Sequence, residues 1–183
     1  MSKVKRLIQS YTSFISTPWR DDAAASQRII FCIYNENDEL KLCAKIDEFE
    51  IATKQAGHEW ALFDLTDSFA QWLATQRYAK SYFEKPQLLG NRLPTYHPYL
   101  LDRFKVFLSE IDVSDNTVVA LKGVGSLFGF IKVKDLVESF APLVPGRLIV
   151  FFPGTCENNN YRLLDGYDGW NYLAVPITAD KEY

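Results

Sequence analysis

The sequence has few of the residues that organise small metal-binding or disulfide-linked proteins. It contains three cysteines, two histidines and one methionine among 183 residues. The cysteines are odd in number and widely spaced, so the sequence predicts neither a disulfide framework nor a metal site, and it indicates no cofactor. Cys32 and Cys43 are expected to be small buried hydrophobic residues, whereas Cys156 follows a predicted strand in a polar loop.

The chain also lacks a surplus of charge of one sign and any long apolar run. Its 20 Lys and Arg against 23 Asp and Glu give a net charge of -3, so we expect no autonomous nucleic-acid binding. No apolar run approaches the roughly 20 residues of a membrane-spanning helix. The N-terminus carries Gln9, Ser10 and Thr12 where a signal peptide is apolar. We therefore expect a cytoplasmic protein without a membrane segment.

Aromatic residues are abundant, with 13 Phe, 10 Tyr and 4 Trp in a chain that is 48% hydrophobic. Such a composition predicts a globular core built on large rings. The length is that of one domain, so residues 1–183 are expected to fold as a single unit.

Strands and helices alternate in the predicted structure. We expect an N-terminal amphipathic helix within residues 1–16, and the apolar runs at 28–34, 117–121 and 147–152 are typical of buried strands. The short apolar run at 59–64 predicts a further strand that completes a strand–helix–strand unit with residues 28–34. Pro176 makes a strand at 172–177 an outer one. Residues 77–98, rich in Pro and Gly, predict an irregular insertion. The fold class is α/β: a single-domain three-layer sandwich with a mostly parallel sheet of about five strands flanked by helices.

Two of the intervening helices are predicted from apolar spacing. The first carries Leu40, Cys43, Ile46 and Phe49 on one side and ends at Gly57. The second lies within residues 126–140.

A glycine-containing turn follows the third predicted strand, where ligands bind in open parallel sheets. Gly123, Gly125 and Ser126 could bring backbone amides and a hydroxyl to a phosphate group. The sequence lacks the Gly-Lys-Ser/Thr ending of a Walker loop and the glycine spacing of a Rossmann fingerprint. The turn is therefore either a tight strand-to-helix connection or a degenerate nucleotide-binding site.

Catalytic groups are sparse. Asp64 and Glu157 follow different predicted strands and permit a third hypothesis, a metal-dependent hydrolase. Residues 155–160 are interpreted as a solvated loop. His58 and His97 have no evident orienting partner in the sequence, so no catalytic residue is assigned.

Several of these motifs together resemble the BrxB family, accessory proteins of BREX bacteriophage-exclusion systems. Gly123-Val-Gly-Ser126 follows a strand, and a helix and an apolar strand then lead to Phe152-Pro-Gly154. The first strand at residues 30–34, the run 38–40 and Asp64-Leu65 are similar to the family's first strand–helix–strand unit. Gly129, residues 155–160 and Leu173 depart from the family pattern.

The resemblance implies an accessory or assembly protein of phage defence, made beside a PglZ-type protein, a DNA methyltransferase and an ATPase. The leading hypothesis is therefore a non-enzymatic protein that acts through protein–protein interaction with other BREX proteins, above all the PglZ-type protein. Aromatic residues in predicted loops, Trp19, Tyr96 and Trp170, are the candidate contact residues. The alternative is a degenerate nucleotide- or phosphate-binding domain without hydrolysis.

Overall fold

The computed structural model describes residues 2–170 and 174–180, with the side chains of residues 169 and 170 outside that description. Seven α-helices lie in the described part: α1 (Lys3–Ile15), α2 (Glu39–Cys43), α3 (Ile46–Gln55), α4 (Ser68–Ala74), α5 (Ala79–Glu84), α6 (Tyr96–Glu110) and α7 (Val133–Phe140). The strands are β1 (Ile29–Tyr34), β2 (Glu59–Asp64), β3 (Thr117–Lys122), β4 (Arg147–Glu157), β5 (Asn160–Leu163), β6 (Gly166–Trp170) and β7 (Val175–Ile177).

One sheet contains all seven described strands. Five pair in parallel in the order β2-β3-β4-β1-β7. The second part of β4 pairs antiparallel with β5, and β5 pairs antiparallel with β6. The α/β class is therefore confirmed. The sheet is nevertheless larger and more mixed than the predicted sandwich of about five mostly parallel strands.

The unbroken apolar sequence of β1 reflects burial on both faces of the parallel strands. Because successive side chains point to opposite sides, Ile30 and Cys32 pack with α1 and α3, whereas Phe31 and Ile33 pack with α4, α6 and α7. Two apolar cores thus lie on opposite faces of the sheet.

The N-terminal helix forms as its sequence predicts. Ser2 caps α1 by accepting a hydrogen bond from the backbone N–H of Lys5 at 3.3 Å. One face, which includes Leu7 and Tyr11, is buried against the sheet and α3. The helix ends at Ile15, three residues before Pro18.

The helix predicted from Leu40 onward is two helices, and its predicted buried face is wrong at Leu40. Ile46 and Phe49 of α3 are buried as predicted, whereas in α2 Leu42 is buried and Leu40 is 84% exposed. The chain breaks at Ala44 and Lys45, between α2 and α3.

Two other segments differ from their predicted form. Residues 77–98 contain α5, two short 3-10 segments and the start of α6 rather than an irregular insertion. Residues 126–140 were predicted to be helical, but a 3-10 turn ends at Leu127 and α7 begins only at Val133. Pro and Gly in the first segment limit its helices to a few residues each.

The predicted solvated loop after β4 is a β-hairpin. Asn158 and Asn159 have φ angles of 49° and 62°, the left-handed conformations that a tight two-residue hairpin turn requires. Gly154 allows the hairpin to fold closely, because a Cβ at that position would lie 1.9 Å from the Arg162 carbonyl oxygen. The predicted outer strand at 172–177 is confirmed over Val175–Ile177 as β7, which lies at the edge beside β1 with Pro176 opposite Phe31. Residues 172 and 173 lie outside the described residues.

Candidate functional site

The glycine turn after β3 packs against its own protein. Gly123 has a φ of 77°, and a Cβ there would lie 2.5 Å from Thr66 Oγ1 and 2.6 Å from Thr66 N. A Cβ at Gly125 would contact the Pro153 ring at 3.4 Å. These glycines are accounted for by close contact with the β2–α4 connection and with the end of the parallel part of β4.

Ser126 hydrogen-bonds to main-chain oxygens. Its Oγ lies 2.8 Å from the carbonyl oxygens of both Leu65 and Gly123. The single hydroxyl proton is therefore directed to the backbone. A phosphate site of this kind needs an α-helix directly after the turn, because the N-terminal amides of that helix bind the phosphate. Here α7 begins only ten residues after Gly123.

The hollow beside this turn is acidic. It has a volume of about 250 Å³, and Glu36 and Glu39 line it together with Thr66 and Ser126. Two carboxylates in the wall repel a phosphate group. The structure thus brings Gly123, Gly125 and Ser126 together, but their surroundings do not favour an anion.

Asp64 is held by an ion pair at the same edge of the sheet. Its Oδ2 lies 2.8 Å from Lys122 Nζ, and its Oδ1 accepts hydrogen bonds from the Thr66 backbone N–H at 2.9 Å and hydroxyl at 2.5 Å. Partial burial raises the pKa of Asp64, but the bonds to Lys122 and Thr66 outweigh it, so the net pKa is lowered. The hydrogen bond to Asp64 raises the pKa of Lys122, against the effect of burial.

The two acids of the hydrolase hypothesis do not share a site. Asp64 ends β2 at its pair with Lys122. Glu157 ends β4 and lines a different hollow of about 260 Å³ together with Lys3 and Asp180. Across residues 2–170 and 174–180, no group of three or more His, Cys, Asp or Glu side chains is placed to hold a metal ion.

Cys43 is adjacent to an acidic side chain. Its thiol donates to Glu39 Oε1 at 3.4 Å, and the Tyr34 hydroxyl donates to the other oxygen of that carboxylate. Burial, followed by the hydrogen bond and the charge of Glu39, raises the pKa of Cys43, so the group is a protonated thiol rather than a nucleophilic thiolate. Cys32 is fully buried, as predicted, and burial raises its pKa.

The two histidines have partners that the sequence does not reveal. His58 Nδ1 lies 2.6 Å from Asn116 Oδ1, and His97 Nε2 lies 3.0 Å from Ser139 Oγ. The Ser139 hydroxyl also donates to the Asp135 carbonyl oxygen at 3.0 Å. Both contacts use the same Ser139 hydroxyl, which thereby joins His97 to the backbone of α7.

Only one predicted contact residue has a partly exposed side chain in the described structure. Tyr96 is fully buried, where its hydroxyl lies 2.7 Å from Ser68 Oγ, so its assignment to a contact surface is wrong. Its position at the first turn of α6 directs the ring into the core. Trp19 is half-buried, stacked on His58 with ring centroids 3.7 Å apart. The side chain of Trp170 lies outside the described residues.

A different set of aromatic side chains is exposed around a groove of about 430 Å³. Phe128, Phe130 and Tyr167 are 45%, 40% and 60% exposed, and with Ile131 and Leu163 they form what we call the aromatic groove. Phe130 stacks on Phe69 with centroids 3.9 Å apart and planes 10° from parallel. Side chains of this size seldom remain exposed as a cluster unless they contact another molecule.

The walls of the aromatic groove are fixed to each other. Phe128 packs over Gly166, where a Cβ would lie 2.6 Å from the Phe128 ring. The buried Asp168 of β6 accepts hydrogen bonds from the backbone N–H groups of Val133 at 2.8 Å and Lys134 at 3.1 Å. The hairpin formed by β5 and β6 thereby supplies the N-terminal cap of α7. The residue at the cap position itself, Lys132, makes no side-chain capping bond.

Comparison of the chain with protein-family models, with curated proteins and with solved structures finds no match. Within the residues that the structure describes, no helix is both long enough and apolar enough to cross a membrane.

Proposed function

We propose that the protein is a non-enzymatic interaction module that binds another protein through the aromatic groove. We further propose, from the motif resemblance, that it belongs to the BrxB family and acts in the cytoplasm as an accessory component of a BREX-type phage-defence assembly. The expected partner is the PglZ-type protein of that system.

The observation that carries this proposal is the exposure of Phe128, Phe130 and Tyr167 around one groove with fixed walls. Large rings bury much area at a small cost in side-chain entropy, which makes aromatic side chains common anchors of protein interfaces. The contacts of Phe128 with Gly166 and of Asp168 with α7 hold the groove before a partner arrives. A preformed site loses less conformational freedom on binding.

The rim of the groove indicates the chemistry of the partner segment. Lys132 Nζ lies 5.8 Å from the centre of the Tyr167 ring, and no carboxylate of the described residues lies within 4.0 Å of that amine. A partner segment with apolar or aromatic side chains and a flanking acidic residue would fill the groove and pair with Lys132.

The parallel part of the sheet supports a further architectural proposal. Strands β2, β3, β4, β1 and β7, with helices over both faces, would form the three-layer sandwich expected from the sequence. The β5–β6 hairpin would then be an addition that builds one wall of the groove.

The alternative, a degenerate nucleotide- or phosphate-binding domain, has less support. The glycines of the turn accommodate Thr66 and Pro153, and the Ser126 hydroxyl is directed to the backbone. The neighbouring hollow contains Glu36 and Glu39. We therefore favour the interaction module.

Co-purification with the PglZ-type protein tests the proposal. Tyr167→Ser removes the most exposed ring of the groove, so we expect at least about tenfold weaker binding with an unchanged melting temperature. Phe83→Ser is the matched control, because Phe83 is also exposed but lies on α5, away from the groove.

The wild type and the Phe83→Ser variant should bind equally well. Failure of the wild-type protein to associate with any BREX protein at micromolar concentration would overturn the biological assignment. Equal loss of binding in both variants would overturn the assignment of the groove.

A further inference from the structure

Two arginines lie side by side at the amino-terminal ends of the central strands. Ile29 of β1 pairs with Leu148 of β4, and the residues immediately before them are Arg28 and Arg147. Burial, and then the positive charge of Arg28, lower the pKa of Arg147. Like charges on neighbouring strands are destabilising unless another group offsets them.

Arg147 has no close anionic partner among the described residues. It is only 9% exposed, yet no described carboxylate lies within 4.0 Å of its guanidinium. Asp21 favours its charged form from a greater distance, and Asp22 is paired with Arg20 at 3.1 Å. Its one hydrogen bond to a described residue runs from Nη2 to the Arg20 carbonyl oxygen at 3.4 Å. Apart from a cation–π contact with Trp19, the charge of Arg147 thus has little compensation, which is costly for a buried group.

An open cavity of about 260 Å³ lies against this guanidinium, beneath the connection between α1 and β1. Its other walls combine the apolar Phe14, Pro18, Trp19 and Ala23 with the polar Thr17, Arg20 and Gln27. The guanidinium carbon of Arg147 lies 4.5 Å from the centre of the Trp19 ring, which also stacks on His58. The Trp19 indole nitrogen is buried and donates to no described residue.

We propose that this cavity binds a small organic carboxylate, with the carboxylate on Arg147 and the apolar body of the ligand against Phe14, Pro18 and Trp19. A planar carboxylate matches the two parallel N–H groups that a guanidinium presents. Arg20 in the wall is already paired with Asp22, so Arg147 is the cation of the lining that pairs with no described carboxylate, and this suits a ligand with one negative charge on an apolar body. The volume restricts the ligand to a small molecule or the end of a chain.

The test is a titration of ¹⁵N-labelled protein with benzoate, observed at the tryptophan indole N–H signals by NMR. Trp19 is assigned with the Trp19→Phe variant, and the core residue Trp72 is the internal control. Benzoate should shift the Trp19 signal saturably, with a Kd on the order of 1 mM, and should leave Trp72 unchanged. Benzyl alcohol, which has the same ring and no charge, should bind at least about tenfold more weakly.

Variants of Arg147 separate the contribution of the guanidinium–carboxylate contact to binding from that of the apolar walls. Arg147→Gln should abolish the benzoate shift, and Arg147→Lys, which keeps the charge but loses the planar fork, should weaken binding about tenfold. Arg103→Gln, on α6, should bind as the wild type does. Equal binding of benzoate and benzyl alcohol, full binding by Arg147→Lys, or tighter binding of inorganic phosphate than of benzoate would each overturn the proposal.

Discussion

In the sequence, Gly123 has two explanations: a phosphate-binding turn needs a glycine, and so does close packing against another segment. Its positive φ and its approach to Thr66 show that the packing requirement alone excludes a side chain. The sequence predicts the turn correctly because a glycine after an apolar strand is a local signal. It does not show what the turn contacts, because Thr66 is distant along the chain.

Gly123→Ala should lower the free energy of unfolding by about 2 kcal/mol or more, since the new Cβ would meet the Thr66 backbone and φ would be strained. Gly90→Ala is the control, because no atom lies within 4 Å of a Cβ there and its φ is not positive. Urea denaturation measures both. Equal stability of the two variants would contradict the packing explanation.

Asp64 should contribute stability that depends on pH. Its pKa is lower in the folded protein, so its contribution is present above the unfolded pKa, near 3.9, and is lost as pH falls through the folded pKa. Because Asp64 and Lys122 are 44% and 23% exposed, the contribution is about 1 kcal/mol or less.

Asp64→Asn should therefore be less stable than the wild type at pH 7, and the deficit should be smaller at pH 2. Urea denaturation at the two pH values measures the difference. Asp112→Asn, at a residue with no ion pair among the described contacts, is the control. A deficit of Asp64→Asn that persists unchanged at pH 2 would argue against this explanation.

At the scale of elements, the strands were the most predictable features. The apolar runs of β1, β3 and the first part of β4 are local signals of double-sided burial, and the structure confirms them. The run of β2 forms a strand as predicted, but at the end of the parallel order it is only partly buried. The β4–β5 hairpin was not predicted, because its polar residues resemble a loop and its turn consists of Asn158 and Asn159 rather than Asn-Gly. The N-terminal cap of α7 was not predictable from the local sequence either, because the capping residue Asp168 lies 35 residues from Val133.

Asp168→Ala should lower the free energy of unfolding by about 1 to 2 kcal/mol, because the first N–H groups of α7 lose their buried acceptor. Amide hydrogen exchange should accelerate in the first turn of α7 and in the hairpin, while α1 keeps its protection. Asp165→Ala, on the exposed turn between β5 and β6, is the control. Uniform acceleration throughout the chain would contradict a local role for Asp168.

For the whole molecule, the candidate contact surface depends on residues that only the tertiary fold brings together. Phe128 and Phe130 precede α7, whereas Tyr167 lies on β6. The β5–β6 hairpin places Tyr167 next to them, because Gly166 packs against the Phe128 ring. Sequence spacing suggested that residues 126–140 were helical, whereas Phe128 and Phe130 lie in the turn before α7, which begins only at Val133. The composition did indicate a surplus of aromatic residues, but not which of them remain exposed.

The most direct measurement of the central claim is hydrogen–deuterium exchange of the protein with and without the PglZ-type partner. The proposed function predicts that binding slows exchange in residues 127–133 and 161–168, which form the aromatic groove, and leaves residues 78–88 of the α5 region unchanged. Protection confined to residues 78–88, or to the glycine turn at 123–126, would contradict it.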